Sequence, residues 1–120
     1  MNVTESAENY LETILMLSKD HPVVRSVDVA EELGFKKSSV SVAMKNLREN
    51  GQITVTKEGY IYLTESGREI VEMIYERHEL LSSWLTKLGV DSGTAARDAC
   101  RIEHVISKES FEAIKKHIGL

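Results

Sequence analysis

The stretch from Ser26 to Thr64 constrains the fold more than any other part of this chain. Ser26 precedes a short segment in which Val29, Ala30 and Leu33 form one apolar face, and Gly34 follows it. After Gly34-Phe35, Val40, Ala43, Met44 and Leu47 repeat at i, i+3, i+4 and i+7, with Gly51 as the stop. Ser38 or Ser39 is the predicted cap of this second segment, as Ser26 is of the first. Helices this short are marginal alone, so they must bury their faces against each other or against a third element. Two of them joined through a glycine turn outline a helix-turn-helix. Gln52 to Thr56 and Tyr60 to Thr64 are β-branched and aromatic and flank Lys57-Glu58-Gly59, which predicts a hairpin, or wing.

The flanking segments are helical. Ala7, Tyr10, Leu11, Ile14 and Leu15 recur at helical spacing, with Thr4 or Ser6 as cap and His21-Pro22 as interruption. Ser66 and Glu69 have capping-box spacing and open a helix expected to run to about Leu88 over Ile70, Ile74, Leu81, Trp84 and Leu85. At ~1.5 Å per residue it spans about 30 Å or more, longer than a small winged domain needs, so it must lead into a second helical unit. Gly89-Val90-Asp91 closes it. A fifth helix is expected from Ser92 or Thr94 to Ile106, and Ser107 caps a sixth carrying Phe111, Ile114 and Ile118. The expected architecture is mainly α: a winged helix-turn-helix over residues 1–64, then a helical domain over residues 65–120.

Charge decides what the short helices can meet. The whole chain carries a net charge of −4, which excludes a protein that coats nucleic acid indiscriminately. Residues 36 to 48 nonetheless hold Lys36, Lys37, Lys45 and Arg48 without one acidic residue. With the third helix in the major groove of double-stranded DNA, Lys36, Lys37, Ser38, Ser39 and Ser41 supply donors and acceptors for base edges. Lys45 and Arg48 meet phosphates, as does Lys57 from the wing. The plainer alternative is an ordinary cap and a solvated basic face. No apolar run is long enough for a membrane span, and Met1 to Glu5 has no leader character, so a soluble cytoplasmic protein without a membrane partner is expected.

Cys100 is the one cysteine, which excludes an internal disulfide and leaves a buried thiol, a reactive nucleophile or a metal ligand. Glu103 and His104 lie three and four positions further on, hence on the same helical face. Thiolate, carboxylate and imidazole together suit Fe(II), Mn(II), Co(II), Ni(II) or Zn(II), whereas Mg(II) and Ca(II) disfavour a thiolate. Taken singly, the three are a small hydrophobe, a solvated acid and a core histidine. Further donors are available from Glu12 and Asn9, on a face of the first helix apart from its apolar stripe, and from His78, which interrupts the apolar face of the fourth.

Four stretches resemble the diphtheria toxin repressor and manganese transport regulator family of metal-dependent repressors: Glu8-Asn9-Tyr10-Leu11-Glu12-Thr13-Ile14, Lys37-Ser38-Ser39-Val40-Ser41, Arg77-His78-Glu79-Leu80-Leu81, and Asp98-Ala99-Cys100-Arg101-Ile102-Glu103-His104-Val105. The resemblance covers nearly the whole chain. It implies a homodimer whose helical domain dimerises, with metal held by residues of the first, fourth and fifth helices. Cys100, Glu103 and His104 match ligands of the fifth helix, Cys100 in the form of iron-responsive members. Glu12 and His78 match ligands of the manganese type. Asn9 departs from both branches, which place methionine or aspartate there. Ser82 and Ala96 replace ancillary glutamate and histidine ligands of the iron branch. The softness of Cys100 favours Fe(II) over Mn(II).

The expected function is a metal-activated repressor of metal uptake or homeostasis genes, acting on a palindromic operator, and not an enzyme. One rival is a metal-independent winged-helix regulator that senses a small molecule or redox state. The other is a small metalloenzyme using Glu103 as general base, for which no nucleophile motif or substrate cradle is evident.

Overall fold

The computed structural model describes residues 3–118, with side chains from residue 5 onward. The expectations resting on Met1, Asn2 and the last two residues lie outside the described residues, and a Thr4 side-chain cap lies outside the described side chains. The elements are α1 (Val3–Asp20), α2 (Ser26–Leu33), α3 (Lys37–Glu49), β1 (Ile53–Val55), β2 (Ile61–Leu63), α4 (Glu65–Lys87), α5 (Ser92–Val105) and α6 (Lys108–Ile118). The chain divides into two compact units, residues 1–71 and 72–120, with the boundary inside α4.

The first unit is a winged helix-turn-helix. Its core takes Leu11 and Ile14 from α1, Val29 from α2, Val40 and Leu47 from α3, Ile53 and Ile61 from the two strands and Val71 from α4. Gly34 ends α2 in the left-handed conformation, φ 70°, and its N–H donates to the Ala30 carbonyl, so the chain reverses within a few residues into α3. The strands pair antiparallel with Ile53 opposite Leu63 and Val55 opposite Ile61. Their reversal is tightened by the Gly59 N–H donating 2.9 Å to the Thr56 carbonyl, with Gly59 at φ 88°. The Ile61 N–H donates 2.8 Å to the Val24 carbonyl, which ties the wing to the segment before α2.

Helix starts differ from the sequence expectation. Arg25, not Ser26, caps α2, its N–H donating 2.8 Å to the Asp28 carboxylate. Lys36 precedes α3, leaving Ser38 and Ser39 inside the helix and exposed. Ser6 likewise lies within α1. Thr64, not Ser66, serves α4: its Oγ1 accepts from the Gly67 N–H at 3.1 Å while its own hydroxyl donates 2.7 Å to the Gly51 carbonyl. The wing strands are correspondingly one residue shorter at each end than the segments expected from composition.

The second unit packs α4, α5 and α6 around Leu80, Leu81, Ala99 and Phe111, with Trp84, Ile102 and Ile114 partly buried against them. Asp91 caps α5, accepting from the N–H groups of Gly93 at 3.1 Å and Thr94 at 3.3 Å. Ser107 caps α6 as expected, accepting 3.0 Å from the Ser110 N–H. Lys115 donates 2.9 Å to Glu76, joining α6 to α4, and that carboxylate raises the lysine pKa. No described helix is long and apolar enough to cross a membrane.

Candidate metal centre and nucleic-acid interface

Three consecutive turns of α5 build the chemistry of the second unit. Ala95 and Ala99 are fully buried small residues on the inner face, which lets α5 approach its neighbours closely. On the adjoining face Cys100, Glu103 and His104 each offer a donor atom, and these atoms lie within 4.8 Å of one another. With metal–ligand distances of about 2.0–2.3 Å, donors sharing one tetrahedral cation lie about 3.3–3.8 Å apart, so side-chain adjustments of about 1 Å close the set. The S, O and N donors therefore fit a divalent transition metal.

Glu103 is the centre of the group and is only 1% exposed. Its two carboxylate oxygens face two histidines. Oε2 lies 2.8 Å from Nδ1 of His78, on α4, and Oε1 lies 3.4 Å from Nε2 of His104. An ionised carboxylate can only accept, so His78 donates through Nδ1; in the neutral tautomer this leaves Nε2 as an acceptor nitrogen. The carboxylate–histidine arrangement is one that fixes ring orientation around metals. Cys100 is exposed, whereas the His104 side chain is only 7% exposed.

The remaining candidate donors lie in the first unit. Glu12 is half-buried on α1, and Asn9, exposed on the same helix, accepts through its backbone carbonyl from the Thr13 hydroxyl at 2.9 Å. Ser82 and Ala96 are both half-buried, on α4 and α5. Sequence reasoning overlooked Arg77, which is buried and donates to carbonyls at the end of α5. Its signal was its position immediately before His78.

The basic residues share the surface of the first unit. Lys36, Lys37, Ser38, Ser39, Ser41, Lys45, Arg48 and Lys57 are all exposed. Ser41, Lys45 and Arg48 of α3 line a shallow depression of about 210 Å³ together with Ser26 and Val55. Lys57 stands at the tip of the wing. Arg25 also belongs to this surface: it lies 4.9 Å from the Tyr60 ring centroid and donates 3.2 Å to the Tyr60 hydroxyl, joining the start of α2 to the wing.

A winged helix-turn-helix whose third helix is basic and carries no acidic residue before Glu49, followed by a helical unit carrying a mixed-donor cluster, defines the class of metal-dependent DNA-binding regulators. Residues 2–60 match the family described as iron dependent repressor, N-terminal DNA binding domain, and residues 64–120 its metal binding and dimerisation domain. The chain belongs to this iron-dependent repressor family of transcriptional regulators, the family of the diphtheria toxin repressor and the manganese transport regulator. It is 32% identical over 115 residues to an uncharacterised helix-turn-helix-type transcriptional regulator of Methanocaldococcus jannaschii, covering 94% of this chain and 92% of that one. It is 32% identical over 111 residues to the transcriptional regulator MntR of Escherichia coli, covering 92% and 72%. Among solved structures, a manganese-dependent transcriptional repressor in complex with manganese matches with a TM-score of 0.80 and 28% identity, over 94% of this chain but 52% of that one. A hypothetical protein from Sulfolobus solfataricus shares the fold, with a TM-score of 0.81 at 21% identity over 98% and 90%. The mainly α winged-helix architecture expected from the sequence is thus borne out.

Proposed function

We propose that this chain is a transcriptional repressor of metal uptake or homeostasis genes that binds a palindromic operator as a homodimer and is activated by a divalent transition metal. The observation that carries the proposal is the convergence of Cys100, Glu103 and His104 on one face of α5, with His78 bonded to the buried Glu103 carboxylate. These four residues hold the metal in this reading, and Glu12 and Asn9 are further candidate donors from α1. Bound there, the cation supplies positive charge at a cluster built around a buried carboxylate. Lys36, Lys37, Ser38, Ser39 and Ser41 read base edges, and Lys45, Arg48 and Lys57 hold phosphates.

Fe(II) and Mn(II) are the leading cofactors, with Co(II), Ni(II) and Zn(II) also compatible. The thiolate of Cys100 favours Fe(II) over Mn(II), because soft sulfur gains less from the harder Mn(II). The site of action is the cytoplasm.

The test begins with selection of binding sequences from a random double-stranded DNA library under anaerobic conditions with each metal. Affinity for the selected DNA is then compared with metal, after chelation, and in His104→Ala. Metal-dependent binding to an inverted repeat, lost in the variant, is expected. Equal affinity in every state overturns metal activation and favours a regulator that uses the exposed Cys100 as a redox sensor.

A further inference from the structure

Arg77 lies one residue before His78 on α4 and is 6% exposed. Its Nη1 donates to two backbone carbonyls, of Glu103 at 3.1 Å and of Ile106 at 3.0 Å, and its guanidinium lies 5.6 Å from the Phe111 ring centroid. Both carbonyls belong to the end of α5, where intrahelical donors run out, and a cation is favoured there by the helix dipole. Such a need is commonly met by an exposed lysine or by water. Here it is met by a guanidinium taken out of solvent, at a desolvation cost that an exposed cap avoids.

The choice of carbonyl matters. Glu103 is gripped at both ends by consecutive residues of one helix: Arg77 holds its backbone oxygen and His78 its carboxylate. His104 is the next residue, so the same grip fixes the turn from which its imidazole projects. Cys100 sits one turn earlier, inside the helix, where the backbone is held by its own ladder.

We infer that Arg77 is a positioning residue of the metal centre: by holding the Glu103 carbonyl it fixes the last turn of α5, so that Glu103 and His104 present their donors together with Cys100. The inference rests on the metal-binding reading of this cluster. It separates the donors into two classes. Glu103 and His104 depend on Arg77, whereas Cys100 does not.

The experiment is calorimetric titration of the full chain with Mn(II) and with Co(II), at a temperature well below unfolding, for wild type, Arg77→Met, Arg77→Lys and Ile114→Ala. Ile114 packs in the same core, supplies no donor atom to the cluster and reports on general destabilisation. Circular dichroism checks that each chain is folded. The expected result is a loss of affinity of about 10- to 100-fold in Arg77→Met, as for outer partners of metal ligands elsewhere. A smaller loss is expected in Arg77→Lys, which keeps the charge but not the fork, and Ile114→Ala should bind as wild type does. Saturated with Co(II), Arg77→Met should retain the thiolate-to-metal absorption band of Cys100 while its ligand-field bands change. Wild-type affinity in both Arg77 variants overturns the inference and leaves the metal site standing, as does equal weakening in Ile114→Ala. No binding by wild type removes the metal reading and the inference with it.

Discussion

Nδ1 of His78 lies 2.8 Å from Oε2 of Glu103, so a residue of α4 holds the one fully buried carboxylate of α5. A buried carboxylate is stable only when hydrogen-bonded or paired, and this one is also within reach of His104. In the proposed function, a cation bound at Cys100, Glu103 and His104 would stabilise that buried charge further.

Glu103→Gln keeps the shape of the side chain and removes the charge. At a metal concentration 100-fold above the wild-type Kd, binding stabilises the native wild-type chain by about 2.7 kcal/mol. If affinity falls 100-fold in the variant, the same concentration gives only about 0.4 kcal/mol. The check is the metal-induced rise in Tm, expected to be several degrees in wild type and nearly absent in Glu103→Gln.

Cys100→Ser exchanges a soft donor for a hard one at the exposed end of the cluster. Affinity for Zn(II) and Co(II) should fall by more than affinity for Mn(II), so the order of preference shifts toward manganese. Competition between metals, read by elemental analysis of the protein after dialysis, measures the shift. An unchanged order would remove Cys100 from the donor set.

Lys45→Ala and Arg48→Ala should each weaken DNA binding across all sequences alike and reduce the slope of log K against log salt by about 0.9. Ser41→Ala should instead alter preference at one base pair, by about 1–3 kcal/mol, with little change in the slope. Salt titrations against the selected operator and a set of single-base variants distinguish the two behaviours.

Gly67 is buried in the first turn of α4, and a Cβ there would overlap the carbonyl oxygen of Gln52. Gly67→Ala must therefore push α4 away from the start of the wing. The expected cost is about 1–3 kcal/mol, as for overpacking elsewhere, read as a Tm lower by several degrees. An unchanged Tm would show that the two segments separate freely.

The sequence by itself determined the order of elements, because periodicity and glycines are local: Val40, Met44 and Leu47 recur at helical spacing, and Gly34 and Gly51 stop their helices whatever packs nearby. It determined which donors share a turn of α5, since residues three and four apart on a helix must be neighbours. It misplaced the helix caps at Ser26, Ser38 and Ser66, because a serine fits the first turn as readily as the cap, and the choice depends on contacts such as Thr64 with Gly51. Only the tertiary structure decided that His78 bonds the Glu103 carboxylate and that Arg77 grips its carbonyl. Those contacts join residues about 25 positions apart through the packing of α4 on α5, and no local pattern encodes which rotamers meet there.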